Sequence, residues 1–248
     1  MRPRALIAAP PGDALASGQP HQLDERQSHH LVRVLRLAEG AALECFDGAG
    51  ARFEAHVERA DPKACRVRLG ARLQADTESA LHITLAQCIA TAERMDWAIE
   101  KAVELGVQAI QPLQSARAQV RLDAARARRR HDHWQRIIEA ACMQCGRDRL
   151  PSLAAALPFD RWIEGLDREA GELRIVLDPR AETRLSQLRI EHSRPITLLV
   201  GPESGFAPEE LRAAAEAGFA AVRLGPRVLR TETAGLAAIA ALQALAGE

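Results

Sequence analysis

The sequence predicts an α/β protein of two unlike domains: a small antiparallel β-barrel over residues 1–73 and a parallel-sheet domain over residues 74–248. Two patterns and one break between them carry this. Short alternating strands divided by turn residues fill the first 70 or so positions. Beyond Leu73, apolar strands take turns with amphipathic helices, the signature of a parallel sheet. Between the two lies Gln74-Ala75-Asp76-Thr77-Glu78-Ser79, which is polar and unpatterned and sets the boundary within 71–80.

Within the first domain, Arg4–Ala8 is a short strand. Ala42–Phe46 is another, ending in the turn Asp47-Gly48-Ala49-Gly50. Arg52–Arg59 alternates, with Phe53, Ala55 and Val57 on one face and Arg52, Glu54, His56 and Glu58 on the other. After Asp61-Pro62 the alternation resumes at Cys65, Val67 and Leu69. A helical insertion over Ser28–Leu37 puts Leu31, Val34 and Leu35 at i, i+3, i+4 spacing, which predicts a buried stripe. His30, Arg33 and Arg36 fall elsewhere on it, as a solvated face or as a basic strip for RNA.

In the second domain, Leu81–Cys88, Val107–Pro112, Leu173–Leu177, Pro195–Val200 and Ala221–Leu224 read as strands. Glu93–Leu105 is an amphipathic helix stopped by Gly106. A longer helix runs from about Ala125 to Cys145, with Gly146 as its left-handed terminator.

Composition narrows the function. The 248 residues carry no net charge, so bulk attraction to nucleic acid is excluded. A local excess remains: residues 114–150 hold nine arginines against four acidic side chains. Lys63 and Lys101 are the only lysines, by composition bias or because guanidinium forks suit phosphate. With five Phe, three Trp and no Tyr, RNA contacts must rest on arginine and backbone rather than on stacked rings. Five scattered cysteines and the lack of a signal-like apolar run point to the reducing cytoplasm. Cys142-Met143-Gln144-Cys145 has no second pair to complete a metal site, so no metal is expected. His131-Asp132-His133 reads as a solvated helix face.

The chemistry concentrates near the carboxy terminus. Leu198-Leu199-Val200 runs into Gly201-Pro202-Glu203-Ser204-Gly205-Phe206, and Pro208 then suits a helix first turn. Leu224-Gly225-Pro226 follows the last strand, and Arg230-Thr231-Glu232-Thr233 precedes an Ala- and Leu-rich helix that Thr231 or Thr233 could cap. A third loop, Asp178-Pro179-Arg180, follows Leu173–Leu177. Ligands of open parallel sheets bind beyond the carboxyl ends of the strands, so these three loops would line one pocket. Neither Gly-x-Gly-x-x-Gly nor a phosphate loop ending in Gly-Lys-Ser/Thr is present, which disfavours nicotinamide and triphosphate enzymes.

Together the 201–206 and 224–234 segments resemble the signature of the SPOUT class of methyltransferases, in particular the family that methylates N3 of a uridine in bacterial 16S ribosomal RNA. His29-His30-Leu31-Val32-Arg33-Val34-Leu35-Arg36 resembles that family's motif on its PUA-like RNA-binding barrel. Arg94-Met95-Asp96-Trp97 with Glu100–Val107, and Gln144-Cys145-Gly146-Arg147 with Pro151, resemble two more of its elements. Two positions depart: Ser204 stands where the family usually has glycine, and Thr91-Ala92 where it has Lys-Gly. The first threatens strain at a positive φ, the second the loss of a basic contact.

The resemblance implies a trefoil-knotted carboxy terminus, an S-adenosylmethionine cofactor, a homodimer and the small ribosomal subunit as partner. It implies a cofactor pocket drawn from Leu177; from Gly201, Pro202, Glu203 and Gly205; and from Leu224, Gly225, Val228, Leu229, Arg230, Thr231, Thr233 and Ala234. Arg230 and Arg147 would steady a developing imide anion or clamp phosphate, and Glu232 or Glu203 would assist proton removal. RNA would meet His30, Arg33 and Arg36 on the barrel and Arg117, Arg128 and Arg129 beyond it. A catalytically impaired RNA-binding relative, or methylation of another RNA atom such as a ribose 2′-hydroxyl, are the other readings.

Overall fold

The computed structural model describes residues 2–7, 15–74, 77–118, 123–167 and 171–248. Ala8 of the predicted first strand, and Ala75 and Asp76 of the predicted boundary, lie outside the described residues. The chain divides into two compact units, 1–78 with 142–150, and 79–141 with 151–248. The sequence reading leaves 142–150 in the second domain; the packing places it in the first unit. Charge is the reason. The buried Arg4 guanidinium donates to the carbonyls of Cys142 at 2.7 Å and Arg147 at 3.2 Å and pairs with Asp148. Leu150 N–H donates to Gly48 O as well.

In the first unit, β1 (Arg4–Leu6), β2 (Pro20–Gln22), α1 (Glu25–His29), β3 (Ala42–Phe46), β4 (Arg52–Arg59) and β5 (Arg66–Leu73) build one sheet and its cover. The sheet order is β1-β3-β4-β5-β2. It is mixed rather than wholly antiparallel, because β1 pairs parallel to β3. The long connection through β2 and α1 supplies the crossover that a parallel pair needs. The predicted alternation holds elsewhere: Phe53, Ala55, Val57, Cys65, Val67 and Leu69 all point into the core. The three residues of β2, starting at a proline, are too short to leave a periodic trace in the sequence.

The predicted buried stripe on the helical insertion is corrected. α1 gives way to a π-helical turn over His30–Val34, where Leu35 N–H reaches back five residues to His30 O at 2.9 Å. A wider turn rotates successive residues away from the 3.6 period. Leu31 stays fully buried, whereas Val34 is 59% and Leu35 42% exposed. Arg36 closes the turn with φ +57, the only positive φ at a non-glycine among the described residues.

The second unit contains β6 (Ile83–Cys88), α2 (Ala92–Glu104), β7 (Ala109–Gln114), most of α3 (Ala124–Cys145), β8 (Ser152–Leu153), β9 (Leu157–Pro158), α4 (Phe159–Glu164), β10 (Leu173–Leu177), β11 (Ile196–Val200), α5 (Pro208–Glu216), β12 (Ala220–Val222) and α6 (Thr231–Ala246). Every strand pair is parallel, in the order β12-β10-β11-β6-β7-β8 with β9 beside β7. β11 is buried along its whole length, which explains its unbroken apolar run. Gly106 and Gly146 follow α2 and α3 at φ +83 and +89, as helix-terminating glycines do.

His131 and His133 are not merely solvated. His133 Nε2 lies 2.8 Å from Asp96 Oδ2 and His131 Nε2 3.2 Å from Leu153 O, so α3 is tied to α2 and to β8. The end of the chain takes an indirect path. After β12 on the sheet edge, α6 returns to pack against β6, β11 and α2. Arg223, on the way, is held within the loop that follows β10: its N–H donates to Thr183 O, and its carbonyl accepts from Leu185 N–H.

Candidate active site

The carboxyl ends of β10, β11 and β12 open into a cavity of about 510 Å³. Its walls are the three loops that follow these strands, 178–180, 201–206 and 223–230, together with Arg94 from α2, Arg117 after β7 and the start of α6. Such a volume suits a ligand of nucleoside size.

Loop 201–206 is shaped by its two glycines. Gly205 has φ +70 and donates its N–H to Pro202 O, so the left-handed position falls on the glycine and not on Ser204. The strain expected at Ser204 is therefore absent, and its hydroxyl instead donates to Arg117 O at 2.7 Å. At Gly201 a Cβ would stand 2.9 Å from the ring of Phe206, which itself packs against Phe159.

The junction into α6 differs from expectation in one respect. Arg230, not a threonine, is the N-cap residue, and its carbonyl accepts from Thr233 and Ala234 N–H. Thr231 begins the helix and is buried. Its hydroxyl donates to Gly201 O and accepts from Gln87 Nε2. Thr233 is exposed and does not line the cavity.

Two carboxylates flank one guanidinium. Arg94 Nη1 lies 3.3 Å from Glu203 Oε1, and its Nε 3.8 Å from Glu232 Oε1. Thr91 N–H donates to the same Glu203 oxygen. The second oxygen of each carboxylate is buried and has no hydrogen-bond partner among the described residues. Acceptors of this kind are costly unless a ligand donor meets them. Arg94 also supplies a cation two positions beyond the Thr91-Ala92 departure. On the opposite wall, burial raises the pKa of Asp178, but hydrogen bonds from the Arg180 side chain and backbone outweigh it and hold the carboxyl below its usual range.

Of the expected pocket, Leu177, Gly201, Pro202, Glu203, Gly205, Leu224, Gly225, Val228, Leu229, Arg230, Thr231 and Ala234 line the cavity. Arg117, expected as an RNA contact, lines it too. Arg147 does not: it belongs to the first unit, its side chain is 3% exposed, and its Nη2 sits 2.6 Å from Glu78 Oε2. His30, Arg33 and Arg36 are exposed on the first unit, and Arg128 and Arg129 on α3. Sequence reasoning missed Arg94, Arg223 and Arg227 as lining residues. Arg94 belongs to the Arg94-Met95-Asp96-Trp97 motif, and its place in the first turn of α2 is the available signal.

Residues 77–243 match the model of an RNA methyltransferase domain, and residues 23–70 that of an RNA methyltransferase PUA domain. The chain belongs to this RNA methyltransferase family. The Ribosomal RNA small subunit methyltransferase E of Buchnera aphidicola is 30% identical, over 95% of this chain and 92% of that protein. Its namesake from a Mycobacterium tuberculosis strain is 33% identical over 90% and 86%. The crystal structure of the Neisseria gonorrhoeae namesake, bound to S-adenosyl methionine, is 36% identical, covers 99% of this chain and 98% of that one, and superposes with a TM-score of 0.91. A Legionella pneumophila structure with bound SAM is 34% identical at the same TM-score, covering 98% of both chains. This RNA methyltransferase therefore has the expected fold class: an all-parallel sheet in the methyltransferase domain and a mainly antiparallel sheet in the amino-terminal unit.

Proposed function

We propose that this enzyme transfers a methyl group from S-adenosylmethionine to N3 of a uridine in 16S ribosomal RNA of the small ribosomal subunit. The observation that carries the reading is the nucleoside-sized cavity with Glu203 and Arg94 paired in its wall; Glu232 shares the Arg94 guanidinium but does not itself line the cavity. The relatives' names supply the substrate class and their bound cofactor the methyl donor.

The cofactor, when bound, supplies an electrophilic methyl on a sulfonium. The residues that would hold it are those of the three loops, with the unpartnered Glu203 oxygen available to a donor group. The imide N3 of uridine keeps its proton at neutral pH, so methylation needs an acceptor for it. Glu203 or Glu232 takes that proton, and Arg94 contacts both carboxylates. Arg230, exposed at the rim, faces the imide anion as it develops or holds a neighbouring phosphate. Arg147, buried against Glu78, takes no part in this scheme.

His30, Arg33 and Arg36 on the PUA-like unit of residues 1–73, and Arg117, Arg128 and Arg129 on the methyltransferase domain of 74–248, are the RNA contacts in this reading. Exposed Trp97 on α2 and Leu245 on α6 support a homodimer, and the five free cysteines suit the cytoplasm.

The deciding experiment is mass mapping of methylated nucleosides in small-subunit RNA from a strain deleted for this gene. Loss of 3-methyluridine alone is expected, with restoration by the wild-type gene and not by Arg230→Ala or Glu232→Gln. An unchanged nucleoside pattern would sink the proposal.

A further inference from the structure

Arg117 lies on a short turn after β7 that belongs to none of the three cavity loops, yet it reaches the cavity. Such a turn would wander if left to itself. Two anchors distant in sequence hold it. Ser204, in the loop after β11, donates its hydroxyl to Arg117 O at 2.7 Å. Glu210, in the first turn of α5, is only 3% exposed and accepts from Ala116 N–H at 2.9 Å and from the Ser115 hydroxyl at 3.0 Å. The same carboxylate accepts from Ala207 N–H at 2.8 Å, so one side chain ties the end of the 201–206 loop to the Arg117 turn. The Ser115 hydroxyl oxygen closes the set by accepting from Arg117 N–H at 3.3 Å.

We infer that Ser204 and Glu210 are positioning residues that fix Arg117 at the cavity mouth, where its guanidinium grips an RNA phosphate beside the target nucleotide. This rests on the proposed function and adds to it. A planar guanidinium recognises a phosphate by paired N–H donors, which works only if the fork is held in register. The carbonyl that Ser204 binds belongs to Arg117 itself, so the anchor acts on the backbone at the base of that fork. Glycine at 204 would lose the hydroxyl together with its Cβ, and Ser204→Ala would remove the hydroxyl alone, since φ there is not positive and accepts either residue. The cofactor's own carboxylate is the other anion that Arg117 could meet, and the test separates the two.

The experiment measures methyl transfer to unmethylated small ribosomal subunits, with cofactor affinity followed separately by calorimetry. Ser204→Gly should raise KM for the subunit by about three- to tenfold, the value of one hydrogen bond. The rise in KM should exceed any change in kcat or in cofactor Kd by at least about threefold, and Ser204→Thr, which retains the hydroxyl, should recover the wild-type KM. Arg117→Ala should flatten the salt dependence of subunit binding by about 0.7–0.9 in the log–log slope, one phosphate contact. In that background Ser204→Gly should add nothing. Glu210→Gln should follow Ser204→Gly if it folds. An unchanged KM in Ser204→Gly, full additivity with Arg117→Ala, or a weakened cofactor Kd in place of the KM effect would each overturn the inference. A wild-type chain that binds no S-adenosylmethionine would instead overturn the function on which it rests.

Discussion

Thr231, the first residue of α6, donates its hydroxyl to the carbonyl oxygen of Gly201, the first residue of the loop after β11. Gln87 of β6 completes the arrangement by donating to the same hydroxyl at 2.9 Å. Two cavity walls that are 30 residues apart in sequence are thereby joined by one buried side chain. The bond fixes the loop and the helix start together, so neither wall can move without breaking it.

Thr231→Val keeps the shape of this side chain and removes its hydroxyl. Gly201 O loses its donor, while Gln87 Nε2 retains only Cys88 O at 3.1 Å. Stability should fall by about 1–3 kcal/mol, the cost of a buried unsatisfied group. Urea unfolding gives the first number and calorimetry the expected weakening of S-adenosylmethionine binding. Thr231→Ser should behave as wild type in both. A Thr231→Val protein with unaltered cofactor affinity would show that the link serves the fold alone.

Gly201→Ala tests the same wall by bulk. The added methyl would press to 2.9 Å on the Phe206 ring, which belongs to a buried cluster with Phe159, Trp162 and Phe219. The ring is packed against Phe159 and borders the cavity, so overpacking should cost about 1–3 kcal/mol or push the ring into the cavity. The expected readout is a lowered urea midpoint with at least a tenfold loss of cofactor affinity. Retained affinity would mean that the loop does not touch the cofactor.

Much of this was legible in the residues, for physical reasons. Strand, loop and helix alternate on a parallel sheet, so the loops after β10, β11 and β12 had to share one end of it, and the cavity followed. Side-chain partners were not legible where they cross the chain: Arg94 with Glu203 spans 109 residues, and Ser115 with Glu210 spans 95. Glu210 reads in sequence as an ordinary acidic first-turn residue, and only its burial shows that it holds another turn. The π-turn at His30–Val34 was hidden for a different reason, since one extra residue in a turn leaves composition unchanged and shifts only the period.

Asp24 gives a pH-dependent prediction. It caps α1, with Oδ1 accepting from Gln27 N–H at 2.7 Å and Oδ2 from Gln27 Nε2 at 3.0 Å. Burial alone would raise its pKa, but these bonds, with Arg26 adding to them, bring it below the usual 3.8. A lowered folded pKa means that the ionised cap stabilises the protein above the unfolded value and loses that contribution as pH falls through the folded value. Asp24→Ala should cost about 0.5–2 kcal/mol at neutral pH, and the difference from wild type should shrink below about pH 4. Urea midpoints at pH 7 and at pH 3 check this; an equal difference at both would refute it.

Glu78 and Arg147 decide between a structural and a chemical role for an arginine that the sequence places beside the reaction. The Arg147 guanidinium is 3% exposed, with its Nε and Nη2 at 3.0 and 2.6 Å from one oxygen of Glu78. The other Glu78 oxygen accepts from Arg149 N–H at 3.2 Å. Neutralising Glu78 weakens the compensation of a buried cation, and removing one partner of such a pair costs about 3–5 kcal/mol. Because Glu78 keeps 22% of its side chain exposed, Glu78→Gln should fall at the lower end of that range. The expected result is a clear drop in the urea midpoint with kcat within about twofold of wild type at a temperature where the variant remains folded. A kcat lowered tenfold or more with the midpoint unmoved would return Arg147 to the catalytic group, because only an arginine aimed at the reaction would be felt there without being felt in folding.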